Sequence, residues 1–272
     1  VAEGGPEDYC VCLLQTEDPS GLGPPTATLP GGALDGSDTA MARGNVEEPE
    51  QLPLAVRITA LRRTFEAAGM LIGGNPPPSF ARQELQQILN REGPTAFHAF
   101  LDDWGIRLCP DSLEELACFV EPPLAGGASK ANTVHLYLAE VPCAEEAAWA
   151  APGGPGVLGV LWATPTEALR LHERGEIELP LPQWYALNEL RERLPLLRNL
   201  PEVLAAFRKE PLYNVPVRLH RVGERSAREG AEEAAVALAL PGDMEHECHP
   251  GPQGVRRRIL VEARGARGLR VG

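Results

Sequence analysis

Apolar and polar positions alternate over Tyr9-Cys-Val-Cys-Leu-Leu-Gln15, the period of a strand whose successive side chains face opposite ways. The Pro/Gly-rich run from Pro19 to Gly36 reads as loop and turn around a short strand at Ala27 to Leu29. From Leu54 to Ala68 the period becomes helical, with Val56, Ile58, Leu61 and Phe65 on one side and Gly69 placed as a C-terminal stop. This side is expected to pack on a mixed sheet. Asn75-Pro-Pro-Pro78 then breaks the chain, because proline can neither continue a helix nor donate to a sheet. Helical spacing returns over Phe80 to Asn90 and Thr95 to Trp104, around Gly93-Pro94, and predicts a helical insertion at about 79–115. Strand-like runs follow at Leu116 to Val120, Val134 to Val141 and Val157 to Trp162. Thr164-Pro-Thr-Glu167 supplies an N-cap hydroxyl, a first-turn proline and a capping-box acid, so a helix is expected from there to near Gly175. A helix from Gln183 to about Leu194 and strands at Val215 to Leu219, Ala234 to Leu240 and Ile259 to Glu262 complete the pattern. This order predicts an α/β sandwich around a mixed sheet over residues 1–200, with a partly stranded C-terminal extension over 201–272.

Composition adds bounds to that picture. Hydrophobic residues at 43% and charged residues at 23% are those of an ordinary folded chain, while 28 Gly and 27 Pro imply many turns between short elements. No apolar run approaches the roughly 20 residues that cross a bilayer, so the protein is not expected to be transmembrane. The net charge of −13 argues against non-specific nucleic-acid binding as the main activity. The C-terminal end departs from this balance, with Arg256, Arg257, Arg258, Arg264, Arg267 and Arg270 against Glu262 alone. A solvated basic end is the plain reading, and contact with an acidic protein, RNA or anionic lipid the sharper one. Cys10, Cys12, Cys109, Cys118, Cys143 and Cys248 form no disulfide framework and fit a reducing compartment. Cys10 and Cys12 would share one strand face and could not form an unstrained bridge.

Arg62-Arg-Thr-Phe-Glu-Ala-Ala-Gly69-Met70 resembles the second half of the Nudix box, Arg-Glu-apolar-any-Glu-Glu-any-Gly-apolar, matching at Arg62, Glu66, Gly69 and Met70. Its surroundings are similar to the type-19 acyl-coenzyme A diphosphatases over most of the chain. Cys12-Leu-Leu-Gln15 and Leu29-Pro-Gly-Gly-Ala-Leu-Asp35 are similar to that family's first strand and Pro-Gly-Gly loop. Leu161-Trp-Ala-Thr-Pro-Thr-Glu-Ala168, Ile177-Glu-Leu-Pro-Leu-Pro-Gln183 and Leu240-Pro-Gly-Asp243 resemble later segments. The resemblance implies a Nudix α/β/α sandwich with a helical insertion and a C-terminal extension. It also implies descent from enzymes that hydrolyse a diphosphate attached to another moiety, using divalent ions, usually magnesium, to neutralise the phosphates and help activate water.

The departures from the box fall on its chemistry. Carboxylates at the second, fifth and sixth positions lie at i, i+3 and i+4 on one helix face and converge on a metal cluster. Here those positions are Arg63, Glu66 and Ala67. A unit charge about 5 Å from a divalent ion costs roughly 6 to 7 kcal/mol at an effective dielectric of about 20, and swinging Arg63 away on its stem restores no ligand. Glu47, Glu48, Glu50 or Glu140 are the available substitutes. In Lys130-Ala-Asn-Thr-Val-His-Leu-Tyr137 the family's Arg-Phe-Asp-Thr strand has lost its acidic position, at Asn132. Arg63 is expected to be satisfied by a nearby glutamate or by Asp35 or Asp38.

Other candidates favour plainer readings. His246-Glu-Cys-His249 matches no zinc-finger spacing. Cys109 and Cys118 read as buried thiols without an activating partner. Ser112 and Ser226 sit in no nucleophile elbow, and His98, His135, His172 and His220 in no catalytic string. Pro30-Gly-Gly32 could present amides to a phosphate or be a simple turn. The expectation is a catalytically degenerate Nudix-fold protein, without catalytic residues, metal or cofactor, serving as an accessory or scaffold subunit among other protein subunits of a larger assembly. The alternative is a magnesium- or manganese-dependent diphosphatase acting on coenzyme A or acyl-coenzyme A, with Glu66 as the surviving ligand. A further alternative is a non-hydrolytic nucleotide or coenzyme A binding module. A mitochondrial location is expected from the resemblance and from Val1 in place of an initiator Met, with the peroxisome as the alternative, although the sequence ends Arg270-Val-Gly272 and carries no Ser-Lys-Leu type signal.

Overall fold

The computed structural model describes residues 8–18, 21–72, 79–121, 132–141, 152–154, 156–194 and 199–202, together with strands at 217–218, 220–222, 235–239, 258–263 and 269–271 and the turn residue Gln253. In chain order the elements are β1 (Val11–Thr16), β2 (Thr26–Thr28), α1 (Gly36–Arg43), α2 (Gln51–Ala68), α3 (Ser79–Glu92), α4 (Thr95–Asp103), a 3-10 turn at Pro110–Ser112, β3 (Glu114–Glu121) and β4 (Asn132–Leu138). There follow β5 (Val157–Ala163), α5 (Pro165–Glu173), α6 (Leu181–Arg193) and the short strands β6 (Val217–Arg218), β7 (His220–Val222), β8 (Ala235–Ala239), β9 (Arg258–Ala263) and β10 (Leu269–Val271).

The alternation read in β1 is used on both of its faces. β1 lies between β2 and β5, antiparallel to each. Leu13 faces a cluster of Ala163, Ala168, Leu169, Ile177 and Leu187, which brings α5 and α6 onto one side. Leu14 faces Ala68 and Met70 at the end of α2 on the other. A second sheet is mixed, as expected, in the order β4-β3-β6 with β3 antiparallel to β4 and parallel to β6. Phe119 and Leu116 of this sheet pack against Tyr185, Ala186 and Leu190 of α6, the Phe119 and Tyr185 rings meeting edge to face at 5.1 Å. β10-β9-β8-β7 form a third, antiparallel sheet. Among the described residues no helix is long and apolar enough to cross a membrane.

The local signals set the helix ends. Thr164 caps α5 by accepting from Glu167 N at 3.1 Å. Gly69 takes φ +70° and donates its N–H to Phe65 O at 2.8 Å, closing α2 in the left-handed conformation that glycine tolerates best.

Two expectations are corrected. Asp35-Gly36, read as a turn, opens the helix α1, with Asp35 accepting from Ser37 N at 2.8 Å and Asp38 accepting from Asp35 N at 3.4 Å in a capping box. The α2 side containing Phe65 packs mainly on other helices. Phe65 is fully buried among Leu71, Leu85, Leu89, Phe97, Leu101 and Ile106, Ile58 meets Ala42 and Ala55, and Val56 is only half-buried. The insertion helices bring an apolar stripe of their own, and it covers this side of α2.

Candidate functional site

The box segment lies on the last turns of α2, where helical spacing puts Arg62 and Glu66 one turn apart and Arg63 beside them. Arg62 is fully buried. Its guanidinium grips the equally buried Asp38 from two nitrogens, Nε to Oδ1 at 2.9 Å and Nη2 to Oδ2 at 2.7 Å, and donates from Nη1 to Glu66 Oε1 at 2.5 Å. Thr59 Oγ1 donates to Asp38 Oδ2 at 2.8 Å, and His98 Nε2 stands 3.3 Å from Oδ1. Burial alone would raise the Asp38 carboxyl, but the Arg62 guanidinium, the nearby His98 ring and the Thr59 hydroxyl outweigh it and hold the group well below the usual carboxylate range. Burial likewise opposes the charge on Arg62, and its bonds to Asp38 and Glu66 overcome it and raise its pKa.

Arg63 donates from Nη1 to Glu66 Oε2 at 3.0 Å and from Nε to Ala33 O at 3.4 Å. Its partner is therefore the neighbouring glutamate, while Asp38 is engaged by Arg62. The Pro30-Gly-Gly32 loop lies directly against this arginine: a Cβ on Gly32 would come within 2.8 Å of Arg63 Nε and 2.9 Å of Cδ. The space beside Gly32 is thus occupied by a cationic stem. At the sixth box position, Ala67 O accepts from Gly153 N at 3.1 Å. A Cβ on Gly153 would fall 2.7 Å from Glu66 O, so only glycine fits this approach.

The three positions that would hold a divalent cluster therefore present one carboxylate shared by two guanidinium groups, a cation, and a methyl group. This donor set does not fit such a cluster. Glu47, Glu48, Glu50 and Glu140 are exposed, and among the described residues none joins Glu66 in a group of three ligand atoms within 4.8 Å of one another.

The remaining candidates are scattered. His172 is buried and accepts from Leu179 N at 3.2 Å, and Ser112 donates to Cys109 O at 2.7 Å within the 3-10 turn. Cys10 and Cys109 are exposed thiols outside any disulfide, Cys109 against the expectation of burial, and Cys12 is a partly buried one whose pKa burial pushes up to about 12. Lys130, Cys143, Ser226, His246 to His249 and most of the C-terminal arginines lie outside the described residues, and of His220 and Asn132 only the backbone is described. Sequence reasoning missed two groupings. Arg62, Thr59 and His98 converge on Asp38, for which the local hint was the spacing Asp35-x-x-Asp38. Cys118 and His135, read separately, come together with Glu115 on β3 and β4, and these contacts, that of Cys118 first, raise the His135 pKa to about 10.

Strands packed on both faces and a box remnant on the covering helix define the class: this is a divergent Nudix-fold protein. A Nudix hydrolase from Alicyclobacillus acidocaldarius has the same fold, with a TM-score of 0.51 over 70% of this chain and 86% of that one at 21% identity. No family model matches the chain. Among characterised proteins it resembles the acyl-coenzyme A diphosphatase NUDT19 of Gallus gallus, being 26% identical over 239 residues that cover 68% of this chain. The match spans 62% of that relative's length.

Proposed function

We propose that this chain is a Nudix-fold protein that has exchanged the box metal cluster for an arginine–carboxylate network and works as an accessory or scaffold subunit in a larger assembly, a mitochondrial one. The observation that carries the reading is the position of Glu66, whose two oxygens accept from Arg62 and Arg63 at 2.5 and 3.0 Å. To admit a divalent ion, the carboxylate has to leave both guanidinium groups, and Arg63 then repels the ion at close range. A partly buried network of this kind holds the helix against its neighbours and supplies no activated water. Incubation of the purified protein with coenzyme A or an acyl-coenzyme A and magnesium or manganese tests the catalytic half, with no diphosphate cleavage expected. Turnover that Glu66→Gln abolishes overturns it. Native mass measurement of the endogenous protein tests the other half, and a free monomer alone refutes a subunit role.

A second reading, a metal-dependent diphosphatase acting on coenzyme A or acyl-coenzyme A, is favoured by the name of the chicken relative. It requires carboxylates from outside α2 to rebuild the site around Glu66, and the same incubation distinguishes the two readings.

A further inference from the structure

We propose that Glu115, Cys118 and His135 form a binding site for a thiophilic divalent cation of the zinc type, carried by β3 and β4 and independent of the box helix. In a regular strand residues 115 and 118 point to opposite faces, because their separation is odd. The observed register pairs Glu115 with Tyr137, Ala117 with Leu136 and Cys118 with His135. Leu116 is the extra residue of a bulge, which resets the alternation and turns Glu115 and Cys118 to one face beside Tyr137 and His135. The bulge is thus what assembles the three donors.

Their spacing suits one ion. Cys118 Sγ lies 3.9 Å from His135 Nε2, the nitrogen that would face the ion, whereas Glu115 Oε1 lies 3.1 Å from the other ring nitrogen, Nδ1, and has to turn from it to join as a ligand. One ligand atom from each residue falls within 4.8 Å of the other two. Zinc–sulfur and zinc–nitrogen bonds of about 2.3 and 2.05 Å at a tetrahedral angle place the two donors about 3.6 Å apart, so closing the Cys118–His135 pair on an ion asks for a movement of about 0.3 Å. A thiolate, an imidazole and a carboxylate make a borderline-soft set that selects zinc over magnesium, whose partners are oxygens.

The ring is already oriented. His135 stacks on Tyr137 at an interplanar angle of 13°, and the Arg57 guanidinium covers the Tyr137 ring at 5.9 Å. Cys118 is 7% exposed and forms the inner wall, whereas Glu115 and His135 open to solvent. Three protein ligands with a solvent-facing fourth position describe an open site rather than a closed structural one.

Titration of the reduced full chain with cobalt(II), followed by absorbance, tests the site. One equivalent is expected to produce a thiolate-to-cobalt charge-transfer band in the near ultraviolet, and zinc is expected to remove it. Cys118→Ser should abolish the band. His135→Gln, at an exposed position where circular dichroism should show an unchanged fold, should weaken cobalt binding at least about 10-fold, and Glu115→Gln by about 10- to 100-fold. Cys248→Ser should leave the titration as it is. Absence of the band in the wild-type chain, its survival in Cys118→Ser, unchanged cobalt affinity in His135→Gln, or its loss in Cys248→Ser overturns the proposal.

Discussion

Asp38→Ala removes the acceptor at the centre of the α1–α2 contact. Asp38 is fully buried and takes three hydrogen bonds, two from Arg62 and one from Thr59. Without it Arg62 keeps only Glu66, and two of its donors and the Thr59 hydroxyl lose this partner inside the protein. Removing one partner of a buried ion pair costs about 3 to 5 kcal/mol, and the retained Glu66 contact favours the lower part, about 3 to 4. With a urea slope near 3 kcal/mol/M for a chain of this size, the midpoint should fall by roughly 1 to 1.3 M at unchanged slope. Replacing both partners, Asp38→Ala with Arg62→Met, should be less harmful than the sum of the single changes by about 1 to 3 kcal/mol, because no orphaned charge is left. The pH dependence has a definite sign. Asp38 is held below its ordinary range, so its contribution is complete above about pH 4 and is lost as pH falls through the depressed folded value. Asp38→Ala should therefore flatten the stability curve on the acid side. A midpoint shift below about 0.3 M, or an unchanged acid limb, refutes the account of Asp38 as the anchor of Arg62.

Three other outcomes are expected. Arg63→Glu with Ala67→Glu places carboxylates at i, i+3 and i+4 around Glu66. This double variant should gain a manganese-dependent rise in melting temperature, up to about 2.7 kcal/mol of stabilisation at a hundredfold excess over Kd; no gain over wild type means that the surrounding loops no longer suit a metal. Gly69→Ala should lower stability by about 1 to 2 kcal/mol in thermal melts, since the residue sits at φ +70° and the new Cβ would stand 3.0 Å from Gln86 Nε2. Thr164→Ala removes the α5 cap and should cost about 1 kcal/mol in urea titration, a loss that Thr164→Ser largely avoids.

Where order is written locally, the sequence was informative. The alternation through Leu13 and Leu14, the stop at Gly69 and the cap at Thr164 each depend on residues within one turn or one strand. What escaped depends on distance along the chain. Asp38 and Arg62 meet across 24 positions, and α1 is short and mostly polar, so no hydrophobic period marks it. The reading of Arg62, Arg63, Glu66 and Ala67 as an altered box followed from residue types on one helix face, but the sharing of Glu66 between two arginines required coordinates. The bulge at Leu116 leaves no trace in composition, and without it Glu115 and Cys118 belong to opposite faces.

The last turn of α2 also receives donors from elsewhere: Gln86 Nε2 of α3 adds a 3.3 Å bond to Phe65 O, and Gly153 N donates to Ala67 O. With Phe65 also enclosed by α3 and α4, the box helix and the insertion share both a core and their hydrogen bonds. They should behave as one cooperative unit in native-state hydrogen exchange, the amides at the end of α2 and those in the middle of α3 opening together. Trimming the insertion to reach a smaller fold would consequently release the helix it covers.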